Sequence, residues 1–431
     1  MTLPALNLIS ILSKDPSTQV QNLAPVDSKT PFDCFAHNGY YVVDGKVFQH
    51  KVYAMQEATR KNLKPKDITW VFNNDAYSKV DWKVPSGLSL TEWYRQRALQ
   101  LRAKYDYLIL AFSGGGDSTN VLDSFVLNNI HIDEVVSWWP RSNAAGNYRP
   151  SMDSNVENFR SEYDYLVEPK LRWLEKVAPN TKITICDNLQ DLQPEEPTDD
   201  VVEMTTNHCW TGIQRYRAID DVYFERQKTH KNCAIIMGVN PPVPVLVKRH
   251  FFVTFYEFGT NTQYSSDLTN RGLRNVEFFY WTPDMPQLVR EQAHALLENL
   301  RANPQYANII SKRAIAPDAR TKVNDLNHQN AELQRRWIKS VIYPSYDSHA
   351  LQIDKHKSPI HRPAWFSWFY DNPHADEILQ PHFSAITAHQ NLIHPDFFVK
   401  RDHEIHNYVQ YHSKFHYIGD WSDTTDQITI T

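Results

Sequence analysis

The sequence predicts an α/β fold built on a parallel, Rossmann-like sheet, with an N-terminal lead-in and a C-terminal helical and irregular lobe. Three observations carry that expectation. Through the middle of the chain, apolar runs of strand length alternate with longer helical patterns, as in a parallel sheet with crossover helices. The first of these runs ends in three consecutive glycines and leads straight into a helical pattern. The 431 residues are 41% hydrophobic and 22% charged. Those shares are close to a globular average of roughly 45–50% and 25%, so the chain can bury a sizeable core and is not disordered.

At about 150 residues per domain, two or three units are expected, and the pattern changes divide the chain at 1–105, 106–260 and 261–431. In the lead-in, a Pro- and Asn-punctuated stretch runs to about Phe32. Residues 40–43 and 46–53 then flank Asp44-Gly45, the dipeptide of a type I′ turn, and predict a hairpin. Ser89 and Glu92 predict a capping box, and the helix it opens has Trp93, Ala98 and Leu101 as an apolar face to lay over the next sheet.

Central strands are predicted at 107–112, 134–139, 182–186 and 234–238. Helices are predicted at 118–128, at 155–176 with an interruption near Pro169, and at 209–228. Three βαβ crossovers of this kind, right-handed in nearly all cases, make a Rossmann-like layer. Beyond Pro241, residues 244–248 and 251–258 predict an antiparallel pair. A helix is predicted from Thr282 with Pro283 at its first position, and an amphipathic one at 322–342. From Tyr343 onward Pro, His and aromatic residues follow no period, which predicts an irregular lobe held by aromatic packing.

Charge and composition narrow the function. With 45 Lys+Arg against 50 Asp+Glu the formal net charge is −5, which excludes a basic nucleic-acid coat and favours a small-molecule substrate over nucleic acid. No run approaches the ~18–20 apolar residues of a bilayer span, and the N-terminus lacks the basic-then-apolar pattern of a signal peptide. A soluble protein of the cell interior with no membrane partner is therefore expected. Cys34, Cys186, Cys209 and Cys233 are widely spaced with no CxxC pair, so neither a disulfide framework nor a structural zinc site is indicated. Among 19 histidines, His403 and His406 are three apart and His412 and His416 four apart, spacings that on helices put each pair on one face. Set among Tyr, Phe and Trp, they are expected to stack and hydrogen-bond ahead of coordinating zinc. The cluster at 365–370 is expected to pack ahead of stacking on bases.

Glycine is the informative shortage: 12 in the whole chain, about 3% against an average near 7%. Three of them are Gly114, Gly115 and Gly116, between the strand 107–112 and the helix from Ser118. A strand running into such a turn and out along a helix brings backbone N–H groups and the helix's positive end onto one point, which suits an anion. The glycines let the chain curl around phosphate oxygens with no β-carbon in the way, and the Ser113 and Ser118 hydroxyls add donors. Asp117 would repel phosphate unless it contacts a metal ion or ties down the loop's own backbone, and its presence points to Mg²⁺ with a polyphosphate. A purely structural glycine turn is the competing reading. The loop is not of the Walker type, since GxxxxGK[ST] is absent. Nor is it the dinucleotide fingerprint, since Thr119 takes the place of the third glycine.

Residues 113–118 resemble the SGGxDS loop of the N-type ATP pyrophosphatases, the PP-loop superfamily of HUP-type fold that includes asparagine synthetase, GMP synthetase, NAD synthetase and tRNA-lysidine synthetase. The resemblance covers about 107–240, and its specific motif is the short loop. It implies ATP as cofactor with Mg²⁺ and cleavage between the α and β phosphates. It places pyrophosphate on Ser113, Gly114, Gly115, Gly116, Asp117 and Ser118, the metal at Asp117, and AMP on a carboxylate or carbonyl oxygen of a small molecule. It further implies that backbone around Val136, Ser137 and Trp138 lies beside the adenine, and that Gly238 lies near the ribose and α-phosphate. The overall layout, with a turn at 279–284 into a helix, is similar to uncharacterised bacteriophage proteins labelled phosphoadenosine-phosphosulfate-reductase-like or asparagine-synthase-like. The compartment implied is the cytoplasm, that of the host if the protein is viral.

After adenylation a nucleophile displaces AMP. Sulfur would need a persulfide cysteine or an iron–sulfur cluster, and no clustered thiols provide either. No cysteine follows Cys233, and Met1 is followed by Thr2, so an amine or ammonia donor would be separate. Amide or C–N bond formation is the expected activity; a sulfonucleotide or sulfur-transfer enzyme and a non-catalytic nucleotide-binding module are the alternatives. Charge on the α-phosphate calls for a cation, and position 116 is glycine. The expected catalytic set is Asp117, Ser118 and Lys248, with Arg249, Arg271, Arg274, Lys312 and Arg313 as further candidates; for each cation a solvated surface charge is the competing reading.

Overall fold

The computed structural model describes residues 39–48, 51–138, 166–186, 221–238, 240–257, 275–314, 325–346, 388, 390–399, 407–409 and 411–422. Asp44 and Gly45 both adopt positive φ, as a type I′ turn requires, and join β1 (Tyr40–Val43) to β2 (Lys46–Phe48). The second strand is shorter than expected because the chain turns into α1 (Lys51–Arg60). β3 (Ile68–Val71), which periodicity did not single out, completes this antiparallel sheet in the order β2-β1-β3.

After the short α2 (Asn74–Ser78) comes α3 (Leu90–Lys104). Ser89 caps it by accepting from the Glu92 N–H, but the expected reciprocal bond is replaced: the Glu92 carboxylate takes Arg95 and Gln96 instead. The centre then follows the predicted alternation: β4 (Tyr107–Ala111), α4 (Gly116–Val126), β5 (Glu134–Trp138), α5 (Glu168–Val177), β6 (Lys182–Cys186) and β7 (Cys233–Met237). Pro169 sits in the first turn of α5, where its missing N–H costs nothing. Residues 155–165 and 209–220 of the two predicted helices lie outside the described residues; 221–227 are helical.

β8 (Val243–Val247) and β9 (His250–Thr254) are the predicted antiparallel pair. β10 (Val276–Phe278) was not anticipated, and it adds the fifth parallel strand. The helix expected from Thr282 begins later: α6 is Pro286–Ala302, and Pro286 takes the early-helix position assigned to Pro283. α7 (Tyr306–Ala314) and α8 (Asp325–Ile342) follow, then the short pair β11 (Phe398–Val399) and β12 (Asn407–Tyr408). In place of a wholly irregular C-terminal lobe, β13 (His416–Asp420) pairs with β9, giving a sheet β13-β9-β8.

The five-stranded sheet is parallel throughout, in the order β10-β7-β4-β5-β6, so this is a mixed α/β fold compatible with a Rossmann-like layer. Its central strands carry uninterrupted buried runs, Leu108 to Leu110 and Cys233 to Met237, as expected of strands covered on both faces. From β4 the chain steps outward to β5 and β6, then returns to the other side of β4 through β7 and β10. The order therefore reverses between β4 and β7, and the carboxyl ends of strands at such a reversal are where open α/β sheets form their crevices. Buried Arg97 ties α3 to this sheet through Glu277 at 2.8 Å and the carbonyls of Phe278 and Phe279. No helix among the described residues is long and apolar enough to cross a membrane.

Candidate nucleotide-phosphate site

The glycine-rich turn stands at the reversal. Residues 113–115 leave β4, and α4 begins at Gly116 with Gly115 as its N-cap. A glycine N-cap has no side chain to satisfy the first helical amides. The Gly114 amide and the first three amides of α4, from Gly116, Asp117 and Ser118, have no acceptor among the described residues. The turn holds its own shape. The Ser118 hydroxyl accepts from Ser113 N at 3.2 Å and donates to Gly115 O at 3.2 Å, while Gly115 N donates to the Ser113 hydroxyl at 3.4 Å. The serines anticipated as phosphate donors are thus used first to set the loop.

Two glycines here are required by space, and Gly114 by conformation as well. Gly114 has φ +73, and a β-carbon on it would lie 2.6 Å from Val167 Cγ2. A β-carbon on Gly238, the residue after β7, would lie 2.9 Å from Asp117 C and from Ser118 N. Gly238 therefore lies directly against the loop backbone, which is where the structure places the residue expected near ribose and α-phosphate. Gly114, Gly115, Gly116 and Ser118 are buried; Ser113, Asp117 and Thr119 remain partly exposed. The cover over Gly116 comes from Tyr346 and Lys339, within 3.1 Å and 3.4 Å of where its β-carbon would stand.

Asp117 is the centre of a network that sequence reading missed. Its Oδ2 accepts from Lys339 Nζ at 2.7 Å and its Oδ1 from the Tyr343 hydroxyl at 2.7 Å. Its main-chain carbonyl accepts from the Tyr280 hydroxyl at 2.9 Å, and that hydroxyl accepts in turn from Asn120 Nδ2 at 3.0 Å. Burial, reinforced for Tyr343 by the Asp117 charge, raises both phenols well above the ordinary range, so each stays a proton donor. The two rings stack at 5.5 Å. The Asp117–Lys339 pair is partly exposed on both sides, a setting in which such pairs contribute roughly 0.2–1 kcal/mol. Behind it, buried Asp123 takes Lys170 at 2.6 Å and the Ser345 hydroxyl at 2.8 Å, fastening α4 to α5 and to the segment after α8.

Ser137 lies on β5, one residue beyond the Val136 carbonyl that accepts from Phe112 N at 2.8 Å. It is 1% exposed, and its hydroxyl has no hydrogen-bond partner among the described residues. An unpaired buried hydroxyl costs about 1–3 kcal/mol, so a polar group supplied from outside would be favourable there.

Lys248 is not brought to the loop. It occupies the exposed turn between β8 and β9 with φ +55, its carbonyl accepts from Trp421 Nε1, and none of its described contacts reaches residues 113–118. The neighbouring Arg249 pairs with Asp420 at 3.1 Å. Arg271, Arg274 and the side chains of Lys312 and Arg313 lie outside the described residues, as do Cys34, Cys209, His403, His406 and 365–370. His412 and His416 are not on a helix: the first meets Phe415 and Tyr256, and the second, on β13, stacks on Trp82 at 4.0 Å. No group of three His, Cys, Asp or Glu able to hold a metal occurs among the described residues.

The cation at the loop comes instead from Lys339, and Tyr343 stands four residues on. Their i, i+4 spacing marks one face at the end of an amphipathic helix, but nothing local says that the face meets residue 117. No protein-family model and no curated protein matches the chain.

Proposed function

We propose that the chain binds the polyphosphate tail of ATP at the β4–α4 junction and cleaves it to AMP and pyrophosphate, adenylating a carboxylate or carbonyl oxygen of a small molecule for amide or C–N bond formation. The observation that carries this reading is the set of amides at Gly114, Gly116, Asp117 and Ser118 that have no acceptor among the described residues, held at the reversal point of a parallel sheet. In this reading those amides and the positive end of α4 grip pyrophosphate and meet the charge that develops as it leaves. Ser113 and Ser118 keep the loop in shape, Gly238 lets the end of β7 approach it, and the Ser137 hydroxyl offers a polar contact for the base.

The donor set fits a phosphate tail. For Mg²⁺ it offers Asp117 as one carboxylate, a fit that requires exchange of a present partner; such an ion takes its remaining oxygens from phosphate and water, and it supplies charge neutralisation. The two described thiols do not favour sulfur chemistry. Burial pushes Cys186 up to about 11 and Cys233 to about 12, so neither is a thiolate at neutral pH. A separate amine or ammonia donor is the better match.

Incubation with labelled ATP and Mg²⁺ across pooled carboxylates and amines tests the reading. AMP with pyrophosphate is the expected product pair, and ADP with phosphate would overturn it. A second reading, a nucleotide-binding module without turnover, is favoured by one observation: both Asp117 oxygens already have protein partners. Tight ATP binding with no product would decide for it.

A further inference from the structure

The loop has a charge deficit. Asp117 is the only ionisable side chain in 113–118, so the loop's own residues offer a polyphosphate one negative group and the partial positive charge at the start of α4. The fold brings the balancing charge from the last turn of α8. The Lys339 stem runs past Gly116, with Cδ 3.4 Å from where a β-carbon would stand, and its ammonium rests 2.7 Å from Asp117 Oδ2. A β-carbon at 116 would meet that stem at ordinary contact distance and press on the Tyr346 ring at 3.1 Å.

Two features make this contact exchangeable. Lys339 and Asp117 keep 20% and 21% of their side-chain surface in solvent, whereas Tyr343 is only 2% exposed. Tyr343 also holds the other carboxylate oxygen, so Asp117 retains a donor when the lysine departs. The amides of Gly116, Asp117 and Ser118, without acceptors among the described residues, belong to the same turn of backbone, within reach of one bound anion.

We propose that Lys339 is a phosphate-contacting residue: in the free protein it is parked on Asp117, and a polyphosphate entering the loop draws its ammonium from the carboxylate onto a phosphate oxygen. This rests on reading the loop as a polyphosphate site and adds where its cation comes from. Tyr343 and Asp117 act as positioning residues for it.

Calorimetric titration of the full chain with inorganic pyrophosphate in EDTA, and with ATP in the presence of Mg²⁺, tests the exchange. Lys339→Met should weaken metal-free pyrophosphate at least about tenfold, as loss of a charged hydrogen bond does. Asp117→Asn keeps an acceptor for Tyr343 but removes the group that competes for the lysine. It should tighten metal-free pyrophosphate by roughly two- to fivefold, the worth of a partly exposed ion pair. Opposite signs from the two halves of one salt bridge do not come from loss of loop structure, which would weaken binding in both variants. Lys339→Gln repeats the lysine arm should the methionine variant fold poorly. Shifts in the same direction, or wild-type affinity in both lysine variants, would overturn the proposal while leaving the loop reading intact. A wild-type protein that binds neither pyrophosphate nor ATP would sink both.

Discussion

Gly238 and Asp117 touch through their backbones: a β-carbon at 238 would stand 2.9 Å from the Asp117 carbonyl carbon, closer than real β-carbons come. The end of β7 and the first turn of α4 therefore fix each other's position. The clash is with main chain, which cannot rotate away, so Gly238→Ala should cost about 1–3 kcal/mol, as overpacking does. It should also shift the loop and abolish nucleotide binding. Gly87→Ala is the control, because Gly87 has φ +80 but nothing within 4 Å of the added carbon. It should lose about 1–2 kcal/mol from backbone strain alone and bind normally. Urea melts with an ATP titration compare them, and normal binding by Gly238→Ala would refute the coupling.

What could be read from the sequence was whatever is local. β4, the glycine turn and α4 adjoin in the chain, so the strand, the turn and the helix announce one another. The Asp44-Gly45 hairpin is of the same kind. β10 is three residues with Glu277 at its centre, and it reads as a strand only once Arg97, 180 positions away, neutralises that charge. β13 likewise depends on β9 for its pairing. The loop was legible, but its cover was not: Lys339 and Tyr343 reach Asp117 from 222 and 226 residues away, and periodicity shows that a helix has a face without showing what the face meets.

Lys51 and Glu257 form an ion pair in which both side chains are 1% exposed, joining α1 to the end of the strand pair β8–β9. The Tyr41 hydroxyl and Tyr411 N also donate to Glu257. Lys51→Met should cost about 3–5 kcal/mol, nearer the lower figure because those two donors remain. Adding Glu257→Gln to Lys51→Met removes the stranded charge and should recover part of the loss. A denaturant midpoint for Lys51→Met equal to wild type would show that the lead-in does not depend on this pair.

Glu277 gives the protein an acid limb at low pH. Burial pushes its carboxyl up, but the Arg97 and Lys104 charges and the Tyr105 hydroxyl outweigh burial and hold it at about 2. The folded value lies below the ordinary carboxylate value near 4.3, so the native state resists protonation more than the unfolded chain does. The resulting stability, about 3 kcal/mol, is present at neutral pH and is lost as pH falls from about 4 toward 2. In Glu277→Gln that limb should flatten while stability at pH 7 drops. Urea midpoints between pH 2 and 7 for both proteins test it, and an unchanged slope below pH 4 would count against the assignment.

His416 should act in a separate and higher window. Its ring stacks on Trp82 at 4.0 Å and lies against Tyr77 and Trp281; burial, with Lys414 adding to it, pushes its value down to about 4. Unfolded histidine titrates near 6.5, so as pH falls below about 6.5 the unfolded chain takes up a proton that the folded ring refuses. Stability is therefore complete above 6.5 and drains away down to 4, by no more than about 2–3 kcal/mol because the ring is partly exposed. His416→Phe keeps an aromatic ring on Trp82 and removes the titration. It should match or exceed wild type at pH 7 and stay level between 6.5 and 4, leaving the Glu277 limb below pH 4 in place. If the phenylalanine variant still loses stability across that higher window, the titrating group lies elsewhere.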